Sequence, residues 1–150
     1  MPPLTTGIRA APELGNLLYK TFQVAATGMV PDEHEAIVAQ LVQWSDIDHL
    51  DLILTTGGTG LTPRDLTPEA TLAVGERLVP GIPEAMRAAG LNKTPHAMLS
   101  RGVAVTRGCT LIINLPGSPK GARESLEAIL PALPHALEKL AGSPSECATT

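Results

Sequence analysis

Two glycine- and proline-rich stretches hold most of the groups in this chain that could handle an anion. The first is Thr55-Thr-Gly-Gly-Thr-Gly60-Leu-Thr-Pro-Arg64-Asp65-Leu-Thr67-Pro68. Glycine lets a backbone approach a phosphate closely, and the consecutive N–H groups of Thr56, Gly57, Gly58, Thr59 and Gly60 can form an anion nest. Arg64 could add a charge-assisted contact. No Gly-Lys-Ser/Thr follows, so this is not a P-loop, and the third glycine of the dinucleotide fingerprint is missing. A strand-to-helix turn that needs small residues accounts for the glycines about as well. Asp65 tips the balance: a carboxylate in a phosphate-type loop is a natural Mg²⁺ ligand or charge-positioning group. Its alternative role is to cap the next helix, for which Thr67 is the better candidate.

The second stretch is Asn114-Leu-Pro116-Gly117-Ser118-Pro119-Lys120. Ser118 as N-cap and Pro119 at the first helical position leave free N–H groups at a positive dipole end, with Lys120 beside them. Simple capping is the competing reading. A third place is Val30-Pro31-Asp32-Glu33, where helix capping explains Asp32 from spacing alone. His34, His49, His96 and His135 lack metal-ligand spacing for zinc. Ser100-Arg101 could hold an anion, although a surface loop is favoured. Cys109 reads as a small buried apolar residue.

The elements that must position these groups alternate along the chain. A helix fits Pro12 to Thr21, and a short strand fits Phe22 to Val30. Asp32 and Glu35 have capping-box spacing before a helix whose apolar face is Ile37, Leu41 and Trp44. Asp51 to Thr56 and Thr110 to Leu115 are compact apolar runs, the pattern of strands buried on both faces of a parallel sheet. Helices are expected from Thr67, from Gly81 and from Pro119, and Pro131 and Pro134 break and restart a last helix to Leu140. Strand and helix in alternation predict an α/β domain over residues 1–142 with a mostly parallel sheet. Ligands in such sheets bind beyond the carboxyl ends of the strands, after Thr56 and Leu115, so both loops should face one cleft. The first dozen residues read as irregular and 143–150 as a disordered tail.

Composition narrows the function. The chain has 150 residues, 43% apolar and 17% charged, which suits one packed domain. Eleven basic against fifteen acidic residues leave a net charge of −4, so a broad phosphate-reading nucleic-acid surface is not expected. Tyr19, Phe22 and Trp44 are too few aromatics for a base-stacking platform. Cys109 and Cys147 do not form a disulfide framework, and two such thiols fit a reducing compartment. With no membrane-length apolar run and no secretory pattern, a cytoplasmic protein is expected.

These motifs together resemble the signature of the molybdopterin adenylyltransferases, a family that includes bacterial molybdenum-cofactor proteins and the N-terminal domain of gephyrin. The resemblance runs through the glycine loop, Pro63-Arg64-Asp65 and Thr67-Pro-Glu-Ala-Thr71. It continues in order through Val30 to Glu33, Pro80 to Ile82, Thr94 to Arg101, Leu111 to Lys120 and Leu130 to Ala136, covering about Pro12 to Ala141. It implies a three-layer α/β sandwich of the molybdopterin-binding type, assembled as a homotrimer. It implies transfer of AMP from Mg-ATP to molybdopterin, giving adenylyl-molybdopterin and pyrophosphate, with a molybdate-insertion enzyme acting downstream. Its two functional carboxylates fall on Asp32 and Asp65, with Asp65 the Mg²⁺ ligand. Its phosphate- and pterin-binding loops fall on Thr56 to Gly60 and on Pro116, Gly117 and Ser118. The related molybdate-inserting domain usually lacks the Pro-Arg-Asp-x-Thr-Pro continuation present here. Family members also open with an apolar strand ending in Ser-Asp, and Met1 to Ala11 carries neither. The sequence therefore predicts a sheet short of its first interior strand. It leaves open a non-catalytic molybdopterin-binding or trimeric assembly module as the alternative function.

Overall fold

The computed structural model describes residues 3–7 and 12–142, with side chains from Leu14 to Gly142. In chain order the elements are β1 (Pro3–Gly7), α1 (Pro12–Leu18), β2 (Gln23–Gly28), α2 (His34–Val42), β3 (Leu52–Thr56), α3 (Thr67–Val74), β4 (Arg77–Leu78), α4 (Gly81–Leu91), β5 (Ala104–Arg107), β6 (Thr110–Leu115), α5 (Pro119–Ile129) and α6 (Leu133–Ala141). A wide turn over Gln43–Ile47 extends α2, and tight 3-10 turns occupy Pro95–Leu99 and Leu130–Ala132.

The strands form one sheet in the order β2-β1-β3-β6-β5-β4. The first four are parallel, and β5 and β4 close one edge antiparallel. β3 and β6 lie in register, Leu52 beside Leu111, Ile53 beside Ile112 and Leu54 beside Ile113. Both are buried along their whole length. Successive side chains point to opposite faces. Leu52, Leu54, Leu111, Ile113 and Leu115 thus meet Leu14, Leu18, Met86, Leu126 and Leu133 from α1, α4, α5 and α6. Ile53 and Ile112 meet Ile37, Leu41 and Trp44 from α2 and its extension, and Ala70 and Val74 from α3. Each such side chain contributes roughly 1.5–3 kcal/mol when fully buried. Two apolar layers on one sheet are the three-layer α/β sandwich expected. A paired guanidinium ties its rim: Arg107 on β5 grips Asp46 at 2.7 and 2.9 Å and the Val74 carbonyl at 2.9 Å.

Several local expectations are corrected. A strand does occupy the interior place thought missing: Pro3–Gly7 pairs in parallel with β2 on one side and β3 on the other. Proline is tolerated there because it is the first residue of the strand. The N-cap of α2 is Glu33, not Asp32, and that of α3 is Leu66, not Thr67; neither makes a side-chain cap. The short strands β4 and β5 were not anticipated. Cys109 is not a buried apolar thiol: it sits half-buried in the turn between β5 and β6 and is not free. The tail expected to be disordered, 143–150, and Cys147 within it lie outside the described residues.

With β2 and β3 on opposite sides of β1, the strand order reverses at β1. A crevice for ligands forms beyond the carboxyl ends of parallel strands at such a point. The segments after β2, β3 and β6 all emerge there.

Candidate functional site

The glycine loop after β3 and the Pro116–Ser118 loop after β6 are pressed together. Gly57 donates to the Leu115 carbonyl at 3.2 Å, and a Cβ on Gly117 would stand 3.1 Å from the Gly57 Cα. Gly57 and Gly58 have φ of +89° and +68°, which favours glycine. A Cβ on Gly58 would also stand 2.2 Å from the Thr67 hydroxyl. The structural reading of these glycines is therefore correct as far as it goes. It leaves the N–H groups of Gly58, Thr59 and Gly60 without a hydrogen bond among the described residues. Consecutive orphaned donors need an anion or water to complete them.

The paired loops form a ridge between two cavities rather than the wall of one cleft. One cavity, of about 480 Å³, is lined by Thr56, Gly57, Gly58 and Gly117 of the ridge and by Pro31, Asp32, Arg64 and Asp65. The other, of about 310 Å³, lies against Thr59, Gly60, Asn114, Pro116 and Ser118, with Met86 and Arg87 of α4 opposite. Sequence-predicted residues are thus brought together, but in two groups.

Both carboxylates belong to the larger cavity. Asp65 does not cap α3. Its Oδ2 accepts from the Thr62 N–H at 2.9 Å and the Thr62 hydroxyl at 2.8 Å, which fixes the side chain within its own turn. Oδ1 carries no hydrogen bond among the described residues. Asp32, released from a capping role, faces Arg64 at 3.9 Å, a loose ion pair between well-exposed side chains. Ser118 spends its hydroxyl on the N-cap of α5, accepting from the Gly121 N–H at 3.0 Å. Lys120 is 84% exposed, pairs with Glu124 at 4.0 Å and lines neither cavity, so it is not part of this site.

Two residues that hold the site together were not found from the sequence in that role. Asn114 is buried in β6; its amide donates to the hydroxyls of Thr55 and Thr71 at 2.9 Å each, and its oxygen accepts from the Val103 N–H at 3.1 Å. A polar residue inside an apolar strand was the available signal. Arg101, for which a surface loop was favoured over an anion site, does lie in an irregular segment with its side chain 37% exposed, but its guanidinium is spent on the protein itself. It donates to the carbonyls of Gly60 and Asp65 at 2.7 Å each and to both oxygens of Glu69 at 2.9 and 3.0 Å. Those hydrogen bonds hold the Glu69 carboxyl below its ordinary range and the Arg101 guanidinium above its own. Its sequence distance from the loop hid the contact.

The family described as "Probable molybdopterin binding domain" matches residues 11–135. A gephyrin from Dictyostelium discoideum is 52% identical over 77% of this chain and 16% of its own length. A molybdopterin adenylyltransferase from Helicobacter pylori is 46% identical over 77% of this chain and 65% of its own length. The chain therefore spans less than two thirds of either relative. The crystal structure of a molybdopterin biosynthesis enzyme, MoaB, from Thermus thermophilus superposes with a TM-score of 0.82 at 52% identity, covering 95% of this chain and 98% of that one.

Proposed function

Since the chain belongs to the molybdopterin-binding domain family, we propose that it is a molybdopterin adenylyltransferase of molybdenum-cofactor biosynthesis. One observation carries this reading: two carboxylates share a cavity with Thr56, Gly57 and Gly58, where the glycine loop's run of orphaned N–H donors begins before it passes to the adjoining cavity at Thr59 and Gly60. An oxygen of molybdopterin's terminal phosphate attacks the α-phosphorus of ATP. The bond from that phosphorus to the bridging oxygen breaks, and pyrophosphate leaves with the electron pair. The attacking phosphate is already an anion and needs no strong base. The chain's work is to hold two anions in line, and positioning of this kind supplies much of a rate.

In this reading the N–H groups of Gly58, Thr59 and Gly60 take phosphate oxygens, and Arg64 approaches the same charge. The smaller cavity, walled by Pro83, Met86, Ala97 and Leu99, receives the pterin end, with Pro116 and Ser118 beside its phosphate and Gly117 on the ridge toward the larger cavity. Asp65, with Asp32 across the same cavity, would hold Mg²⁺. The residues fit that ion, because Mg²⁺ takes hard oxygen donors and is commonly held by one or two carboxylates plus substrate phosphates. When bound it would offset the charge that develops on the transferred phosphoryl group.

The non-catalytic alternative drew on an absent first strand, and Pro3–Gly7 fills that place in the sheet. Turnover is thus the preferred reading. The product would pass to a molybdate-inserting enzyme, and the setting would be the cytoplasm. Among the described residues no helix is long and apolar enough to cross a membrane. Self-association as a trimer draws support from exposed Leu61, Leu72 and Leu78. Light scattering at micromolar concentration tests it, and a clean mass of 15.6 kDa would refute it. The activity is tested by incubating the protein with molybdopterin, ATP and Mg²⁺. Equal yields of adenylyl-molybdopterin and pyrophosphate are expected, and neither product forming would reject the assignment.

A further inference from the structure

We propose that Arg101 is the positioning residue of this site, a clamp that closes the base of the 60–65 turn and so sets where the Asp65 carboxylate and the glycine-loop N–H groups stand. The guanidinium bridges the two ends of that turn, taking the carbonyl of Gly60 and the carbonyl of Asp65 at 2.7 Å each. Its own N–H donates to the Thr59 carbonyl at 2.9 Å, so backbone and side chain of one residue grip three carbonyls of one loop. Glu69, on the first turn of α3, receives the remaining fork edge through both oxygens. The clamp is thereby tied to the helix that the loop leads into. Arg101 lines neither cavity, so it acts on substrate through the loop and not by touching it.

The Asp65 end of the turn is held at two points and the Gly60 end at one. Asp65 is fixed at its carbonyl by Arg101 and at its carboxylate by Thr62. Gly60 is fixed at its carbonyl, and a Cβ there would stand 2.8 Å from Asp65 Oδ2. A planar guanidinium can serve four acceptors set in a fork, whereas a lysine ammonium is a point charge with three donors and no fork. Arg101→Lys keeps the charge and loses the bridge. Glu69→Gln keeps an acceptor and loses the charge.

The proposal rests on the adenylyltransferase reading, so one measurement is made without substrate. Backbone amide exchange over residues 57–66 of the whole protein, read at the hydrogen-bonded N–H groups of Gly57, Thr62 and Asp65, is compared for wild type, Arg101→Lys and Glu69→Gln. Exchange about tenfold faster in Arg101→Lys, and less in Glu69→Gln, is expected from the loss of charge-assisted hydrogen bonds, with β3 and β6 unchanged. In steady-state assays at a temperature where all three are folded, kcat should fall ~10–100-fold in Arg101→Lys as positioning is lost. The Mg²⁺ concentration for half-maximal rate should rise, while KM for molybdopterin stays close to wild type. Unchanged exchange at 57–66, or activity lost only in proportion to the unfolded fraction, overturns the clamp. If wild type makes no adenylyl-molybdopterin, the functional reading fails and the exchange data alone decide the role of Arg101.

Discussion

A carboxylate in a turn has two things to offer, a hydrogen-bond acceptor and a charge, and Asp65 separates them. Its acceptor function is met by Thr62, and an asparagine oxygen can take over that task. Asp65→Asn should therefore leave the melting temperature nearly unchanged while adenylyl transfer drops by about 10²-fold, the scale of one lost electrostatic contributor. Pyrophosphate release and thermal melting on one preparation decide it, and unchanged turnover would reduce Asp65 to a turn former. Asp65 and the loop glycines stood out in the sequence because acid and glycine types are conspicuous locally, whereas spacing alone made Asp32 a helix cap and only the family resemblance gave it a role in the site. Arg101 and Asn114 were not, because their partners are distant in the chain: Arg101 reaches back to Gly60, and Asn114 to Thr55 and Thr71. The identity of a polar residue says that it needs partners, and only the fold says which.

Elements show the same division between pattern and context. The buried strands β3 and β6 were readable because Leu-Ile-Leu and Leu-Ile-Ile runs bounded by turn residues leave few alternatives. β4 is two exposed residues, Arg77 and Leu78, whose pairing with β5 leaves no periodic trace. Helix starts were misplaced by a residue or so because Thr67 has good capping chemistry but is used otherwise: it is buried and packs on Gly58. That contact gives a test of how the β3–α3 connection is built. Gly58→Ala forces an alanine to φ of +68° with its Cβ 2.2 Å from the Thr67 hydroxyl. It should destabilise by roughly 1–3 kcal/mol through strain and overpacking. Thr67→Ala added to it should recover part of that loss by removing the hydroxyl but not the backbone strain. Denaturant titration of the single and double variants measures both. A double variant no more stable than Gly58→Ala alone would separate the loss from this contact.

The whole molecule sets the limits within which the site works. Glu69, hydrogen-bonded by Arg101, sits below its ordinary 4.5, and Asp46, hydrogen-bonded by Arg107, below 3.8. Both carboxyls have lower pKa values folded than unfolded, so their contribution is complete above those ordinary values and is lost as pH falls through the folded ones. The melting temperature should hold from neutral pH down to about 5 and then decline, less steeply in Glu69→Gln than in wild type. An equally steep decline in the variant would remove Glu69 from the acid response. The α/β class with a mostly parallel sheet was visible in the alternation of elements, the three layers were implied by the family resemblance, and the first strand was not foreseen. Pro3-Leu-Thr-Thr-Gly7 has no apolar run, and strand formation there comes from the slot it fills: tertiary pairing overrides a weak local preference. Leu4 to Gly7 pair with Leu52 to Thr55 of β3, and Pro3 to Gly7 with Gln23 to Gly28 of β2. Removing residues 1–7 would strip one edge of β3, a strand buried along its whole length and leading directly into the glycine loop. Each buried N–H or C=O left unpaired costs about 1–3 kcal/mol, against a total stability of about 5–15 kcal/mol for a domain. A chain lacking those residues should melt at least ~10 °C lower or without cooperativity, and should lose adenylyl transfer with it. Equal melting and equal turnover would mean that β2 and β3 close up without β1, and that the strand order around the site does not depend on it.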